Sequence, residues 1–505
     1  MSGLMETEVL IVGAGPTGLT VAVELARRGV PCRVVEERRL PRQSTRGCTV
    51  YQRTLEVFDA MGLPVDDYVA QGARMARRVY HLFGERIGTV DMAEPGSSRP
   101  YPLVVGQNVT ERYLERRLAD LGVTVLRGAS AETVAQDDDG VTVTLRHAEG
   151  RRSTVRAAWL VAAQGASASI RDALGVAWRE WRRFTGVRML QIDARVHLPF
   201  ALPPDEAHMF FGARGHVGCV PLPDGRHRVF VVRREPADGD DGRGDPEPAE
   251  IAAAMAPLCG VGEVRLSDGL FAWRVRLQNR FADRLRVGRV LLAGDSARVF
   301  APVHAQGMNT GVQDAFNLGW KLAAVAADGA PETLLDTYEA ERRPVFEELL
   351  ARTERSLDFG VQEAPGREPL LAAIAANRPK RTQLAVDYPD SPLTRELLGG
   401  ADGPAAGRRA PGRWDGRWTL LVLPGPRPDR ERIRRLMTDV DPRVEVIVDV
   451  DGTRAGLAAP DAARIYLVRP DGHIGLRGGL EHGPQVAAYL DDVLGPVPRR
   501  TPSRA

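Results

Sequence analysis

The sequence predicts an α/β fold: a parallel sheet buried on both faces, an antiparallel sheet laid over it, and a small α/β unit at the end. Three observations carry this. The run Glu8 to Val12 is apolar and β-branched, and it breaks directly into Gly13-Ala14-Gly15-Pro16-Thr17-Gly18 before a helical pattern from Leu19 to Arg28. From Gly175 to Trp273 the pattern changes to short alternating strands punctuated by Pro and Gly. A Pro/Gly-rich stretch, Gly399 to Pro411, then precedes further strand patterns near Thr419 to Leu423, Val444 to Val448 and Ile465 to Val468.

Each glycine of the opening motif has a reason. Gly13 permits the tight strand-to-helix turn, Gly15 lets backbone approach a pyrophosphate, and Gly18 lets the helix pack against the strand. Pro16 and Thr17 open the helix, whose free N–H groups and dipole would face the phosphates. The strand Cys32 to Val35 ends in Glu36, about twenty residues on, where a ribose hydroxyl needs an acceptor. Together these features predict a dinucleotide site.

The remaining elements follow in order. A polar loop, Arg38 to Thr45, leads to Arg46-Gly47 and a helix from Gln52 to Gly62; Val79 to Met92 suggests a sheet excursion. Gln107 precedes a helix start at Val109-Thr110-Glu111, with Thr110 capping Arg112 to Leu121. Strands are expected at Thr124 to Leu126, Val141 to Arg146 and Trp159 to Ala163, the last ending in Gln164-Gly165. In the middle region, strands are expected at Gly186 to Val196, His216 to Val220 and His227 to Val232, and Asp238 to Pro248 is too charged and Gly/Pro-rich for ordered core. Arg289 to Gly294 is a buried strand with Asp295 at its end; Gly311 to Ala327 and Glu332 to Thr353 are amphipathic helices.

A chain of 505 residues suits two or three domains with a large core. Its 68 basic and 66 acidic residues nearly cancel, which argues against nucleic acid as a partner. Cys32, Cys48, Cys219 and Cys259 lack metal-ligand or C-x-x-C spacing, so the expectation is reduced buried thiols, no metal, and a cytoplasmic protein. No apolar run reaches the about 18 residues of a membrane span, and Met1 to Thr7 does not read as a signal peptide.

Gly294-Asp295, Pro302, Gln306-Gly307-Met308-Asn309-Thr310-Gly311, Asp314-Ala315, Asn317 to Lys321 and Leu335 to Pro344 resemble the motifs of the FAD-dependent aromatic hydroxylases, the group of para-hydroxybenzoate and phenol hydroxylases, especially its polyketide-tailoring branch. The resemblance spans roughly the whole chain. It implies a Rossmann-like (GR2) FAD-binding domain over 1–175 with the β excursion near 79–105, a substrate-binding middle domain over 176–275, a continued FAD domain with long helices over 276–398, and a thioredoxin-like tail over 412–505 without redox cysteines. It further implies noncovalent FAD, with Glu36 on the adenosine ribose, and Arg46 and Gln107 near the pyrophosphate and ribityl chain. Asp295 would meet the ribityl or pyrophosphate, and Met308 and Asn309 would turn backbone N–H groups to the isoalloxazine edge. Gly165, Gly294 and Gly307 belong to the same set of cofactor-binding positions.

The chain departs from that pattern in three places. The family's middle motif reads Asp-Gly-Ala-Arg-Ser; here it is Gln164-Gly165-Ala166-Ser167-Ala168, which removes a carboxylate and a guanidinium and puts NAD(P)H use in doubt. After Pro302 the family usually carries two small residues, and here His304-Ala305 would fill space left for flavin motion and oxygen. Arg298 stands where the family usually has His. These departures favour a non-redox [4+2] cyclisation of a polyketide-derived substrate, with FAD retained structurally. The alternative is an NAD(P)H- and O2-dependent monooxygenase; a flavin-bound binding protein without turnover is a third class.

The substrate would lie between the middle sheet and the flavin face. Arg188, Phe210, Phe211, His216, Trp273 and Pro302 are the candidate substrate contacts; His304 and Gln306 are the candidate catalytic donors, able to polarise a carbonyl. The expected partner is a small polyketide-type molecule, with no nucleic acid, no membrane, and a monomer or homodimer.

Overall fold

In the computed structural model, residues 4–44, 47–184, 186–234, 244–399, 403–450 and 461–496 are described. The opening strand, Leu4–Val12, lies between Arg152–Ala162 and Cys32–Glu36, parallel to both. Val290–Leu292 and Val125–Arg127 extend the sheet on either side, also parallel to their neighbours. This accounts for the sequence pattern: Val9, Leu10 and Ile11 are wholly buried, as a parallel strand covered on both faces requires. Trp159 to Ala163 is the end of a longer strand whose outer half pairs antiparallel with Val141–His147.

The middle sheet has seven strands, in the order 265–275, 187–197, 227–234, 215–221, 206–212, 77–82 and 85–91. The β excursion near 79–105 is present and adds to this sheet: Arg77–Leu82 pairs parallel with Glu206–Gly212. Alternate residues face opposite ways. Leu190, Phe210, Val217 and Val231 pack on the helix Pro248–Cys259, which the sequence reading missed although Pro248 starts it and Gly260 ends it in a left-handed turn. The other face, with Met189, Met209, Phe211, His216 and Phe230, looks toward the parallel-sheet domain across a cavity.

Two long helices run behind the cavity. Gln306–Asp328 starts five residues earlier than the amphipathic pattern suggested, and Asp336–Gly360 follows a short 3-10 turn at Glu332–Leu335. A further helix, Arg367–Arg381, was not anticipated. The tail is a five-stranded sheet, ordered 395–396, 474–478, 464–468, 418–423 and 444–448, flanked by Arg430–Asp439 and Gly483–Leu494. The stretch expected to be a linker is part of it: Ala406 and Ala410 are buried, and Arg409 bridges to His473.

The tail is fastened by buried charge. Glu341 on the helix 336–360 accepts from Arg469 Nη1 at 2.5 Å and from Lys321 Nζ at 2.7 Å. Asp471 accepts from Trp320 Nε1 at 3.1 Å and Asn317 Nδ2 at 3.3 Å, while Arg53 donates to the Asp471 carbonyl at 2.6 Å. Burial alone would raise the Glu341 pKa; the positive charges of Arg469 and Lys321 hold it below the ordinary carboxylate range. All four cysteines are buried free thiols. Among the described residues no helix is long and apolar enough to cross a membrane, and no group of three or more His, Cys, Asp or Glu could hold a metal.

Two outcomes are expected. Glu341→Gln removes the charge facing both Arg469 and Lys321, so it should destabilise the protein by about 3–5 kcal/mol in denaturant melts. Stability should also fall as pH drops from about 6.5 to about 4. Burial pushes the pKa of His81, His208 and His216 down to about 4, so within that window the unfolded chain binds more protons than the folded one. A melting temperature that stays flat across this window would contradict the assignment.

Candidate active site

The opening motif folds as its glycines require. Gly13 sits at φ +111°, and a Cβ there would lie 2.3 Å from the Ala163 carbonyl oxygen; one on Gly18 would lie 1.9 Å from the Gly13 oxygen. Gly15 differs: its backbone is ordinary extended geometry, and nothing stands within 4 Å of where its Cβ would be. The same open space lies beside Gly165 and Gly307, and all three glycines line one cavity of about 1120 Å³. Glu36 closes the loop, accepting the Ala14 N–H at 2.8 Å and the Arg38 N–H at 3.1 Å.

Two helices point their starts at this cavity. Pro16–Ala26 and Gln306–Asp328 both begin without a side-chain cap, so their first N–H groups are left for a ligand. Gly15, Pro16, Thr17, Gly307 and Met308 line the wall there, together with Glu36, Gln107 and Asp295. Gln107 accepts the Gly47 N–H at 3.3 Å and donates to Glu111 at 2.8 Å. Asp295 is half exposed and pairs with Arg298 Nη1 at 3.3 Å. An acid at a strand end, a glycine cradle and two uncapped helix starts fit the ribose, pyrophosphate and electron-rich ring edge of FAD. Gly18 and Gly294 serve packing rather than contact. Arg46 lies outside the described residues.

Asn309 holds the site together through its side chain. Its Oδ1 accepts from Tyr51 N and Thr54 Oγ1, both at 2.8 Å, and its Nδ2 donates to the carbonyls of Thr49 and Ala305, also at 2.8 Å. Only its backbone is left for the cofactor. Arg298 is fully buried, donating to the Gly307 carbonyl at 3.2 Å and to Asp314 at 2.9 Å, while Arg342 meets the other Asp314 oxygen at 2.7 Å. The residue that departs from the family's His thus ties the start of the long helix to Asp295.

Of the candidate substrate contacts, Phe211, His216 and Trp273 on the sheet and Pro302 in a 3-10 turn line the cavity. Phe210 and Arg188 do not face it. Phe210 is wholly buried against the helix 248–259, with its ring centroid 4.4 Å from that of His81. Arg188 stands one residue out of step with Met189 and Gln191, which do line the cavity; the pleat sends it to the other face. Gln306 is also corrected. It is the first residue of its helix and is buried, accepting from Gln383 Nε2 and donating to the Arg381 carbonyl at 3.3 Å, so its amide is spent on structure.

His304 does reach the cavity. Its Nε2 is buried without a hydrogen-bond partner. Burial, then the charges of Arg381, Arg352 and Arg78, hold its pKa well below the ordinary imidazole value, so it is neutral at physiological pH. Ala305 after it adopts φ +54°, a left-handed conformation that favours Gly. Sequence reading missed Arg78, Tyr80, Arg228, Phe230, Arg352 and Arg381, all on the cavity wall. The alternation of strand 77–82 could have offered Arg78 and Tyr80 as a pair on one face.

Gln164 keeps one half of a carboxylate's role. Its Oε1 accepts the Ile170 N–H at 3.2 Å and its Nε2 donates to Ser169 Oγ at 3.2 Å, so it anchors the start of the helix Ser169–Ala173 without charge.

Residues 6–353 match the family described as "FAD binding domain". The chain is 35% identical over 518 residues to 6-methylpretetramide 4-monooxygenase of Streptomyces rimosus, covering 93% of this chain and 90% of that one. It is similar in structure to the OxyS anhydrotetracycline hydroxylase from Streptomyces rimosus, with a TM-score of 0.75, 29% identity, and coverage of 98% of this chain and 100% of that one. It is also similar to the Diels-Alderase PyrE3 in the biosynthetic pathway of pyrroindomycins, with a TM-score of 0.71, 27% identity, and coverage of 97% and 100%.

Because Gly15 has open space and permissive backbone, Gly15→Val should fold with near-native stability and yet purify colourless. Gly18→Val should instead fail to fold, since its side chain meets backbone. Flavin absorbance per mole of folded protein checks both; a yellow Gly15→Val variant would refute the cradle.

Proposed function

The chain belongs to the FAD-binding-domain family, and from that premise we propose that it is an FAD-dependent monooxygenase that places one oxygen atom on an aromatic, polycyclic polyketide-type substrate. The observation that carries this is the single cavity running from Glu36, past both uncapped helix starts, to Trp273 on the middle sheet. Cofactor and substrate would share one space there. The near full-length similarity to a monooxygenase acting on 6-methylpretetramide supports the reaction class.

When bound, FAD would supply the electron transfer and oxygen activation that hydroxylation needs. Glu36 would hold the ribose and Gly15 the pyrophosphate, noncovalently, while Gly307 and Met308 would present N–H groups to the ring. The sheet residues Phe211, His216 and Phe230 keep water from the reacting face. His216 is locked for this: its Nδ1 donates to the Gly360 carbonyl at 3.2 Å, so its ring edge is fixed against the helix 336–360. The neutral His304, whose Nε2 is buried without a partner, can hold a substrate hydroxyl, setting which ring carbon faces the flavin.

Cyclisation without net redox change is the second reading. It rests on the neutral Gln164, on His304, and on the similarity to a Diels-Alderase. Hydroxylation is the better supported of the two, because relatives of comparable coverage are monooxygenases.

Turnover decides between them. The expected result is product only with NAD(P)H and O2, carrying one oxygen atom from O2 by mass. Product formed anaerobically without reductant would overturn hydroxylation in favour of cyclisation. In either case His304→Ala should lower kcat/KM by about tenfold to a hundredfold, the loss of one buried hydrogen bond of about 1–3 kcal/mol.

A further inference from the structure

Three arginines converge beside His304 from three separate elements: Arg78 from the strand 77–82, Arg352 from the helix 336–360, and Arg381 from the end of the helix 367–381. They are only 9%, 5% and 7% exposed, and all line the cavity. Other buried arginines in this protein face a carboxylate: Arg228 has Asp193, Arg298 and Arg342 share Asp314, and Arg469 has Glu341. Among the described residues, none of the three at His304 makes an ion pair. Glu348, the acid next to Arg352 along its helix, is taken by Lys380 at 2.6 Å.

What the three do contact is neutral. Arg381 Nη1 donates to the Tyr80 hydroxyl oxygen at 3.3 Å, Arg352 Nη1 donates to the Lys380 carbonyl at 2.9 Å, and Arg78 meets the hydroxyls of Tyr51 and Tyr80. Arg352 Nη2 and Arg78 Nε are buried with no partner. Burial tends to raise the Tyr80 pKa, but Arg381 and Arg78 outweigh it and leave it below the ordinary phenol value, which reports a strongly positive local field. Buried like charges without a counter-ion are costly, and guanidinium groups are shaped for two-oxygen anions.

We infer that this end of the cleft is an oxyanion pocket, which recognises substrate through an ionised oxygen group, a carboxylate or an acidic phenol or enol. The inference rests on the reading of the cleft as the substrate site. It adds an orientation: the ionised oxygen lies against Arg78, Arg352 and Arg381, and the neutral His304 takes a hydroxyl next to it.

The test reads binding, so its failure stays distinct from failure of the hydroxylase assignment. FAD-loaded protein is titrated with naphthalene-2-carboxylate and with its methyl ester, following the flavin difference spectrum. The carboxylate should bind about tenfold tighter or more. Arg352→Gln and Arg381→Gln should each narrow that gap with little change for the ester, and Arg381→Lys should restore part of it. Equal affinity for acid and ester in the unsubstituted protein overturns the inference, and this comparison needs no variant to fold. It is also overturned if inorganic phosphate competes as effectively as the naphthoate, because the pocket would then be a general anion site.

Discussion

The architecture turns on the close approach of two helices. Thr17, at the start of the helix Pro16–Ala26, packs with its Oγ1 2.4 Å from where a Cβ would stand on Gly294 and on Gly311. Two glycines, one before the long helix and one in its second turn, give way to a single threonine. That contact sets the two helix starts on the same cavity, so one cofactor can be met by both sets of free N–H groups. Arg298 reinforces it, because it reaches from Asp295 to the Gly307 carbonyl and Asp314 without leaving the core. A bulkier residue at either glycine would move the ring-binding end away from the phosphate-binding end.

The middle sheet supplies the opposite wall by a simpler rule. Its pleat sorts residues two by two, so Phe211 and His216 face each other across adjacent strands on the cavity side, while Phe210 and Val217 do so on the helix side. Gly218 makes room for a ring: a Cβ there would lie 2.2 Å from the Phe230 ring. The sheet can present large rings to substrate only because small residues sit beneath them.

The nucleotide half of the site was legible in the sequence because its signals are local. A buried strand, a glycine turn, a helix start and an acid at the end of the next strand all lie within the first 36 residues. The substrate half is not local. Arg188 and Phe210 were single residues read without knowing which face of the pleat they take, and a one-residue step decides that. Arg352 and Arg381 come from helices far along the chain, and nothing in their own surroundings tells that both meet Arg78. Gln306 was misread for a related reason. Proximity in sequence to His304 points it at the same space, but the 3-10 turn Pro302–His304 and the left-handed Ala305 rotate the chain between them. Helix Pro248–Cys259 was missed although its Pro start and Gly stop are plain, because the charged loop before it drew the region toward disorder.

The departures from the family pattern are therefore of different physical kinds. Arg298 is a replacement inside the core, matched by Asp314, and it strengthens the frame that holds the cofactor. Gln164 is a partial loss: the amide still anchors a helix start as a carboxylate would, while the charge is gone. Only His304 alters the reacting space itself, since it adds a neutral ring among three unmatched positive charges. If substrate brings the missing negative charge, the imidazole need not ionise, and its unpartnered Nε2 becomes a selective partner for a hydroxyl. Shape at 304 and charge at 78, 352 and 381 then act on the same ligand, which ties the unusual motif residue to substrate choice rather than to the flavin.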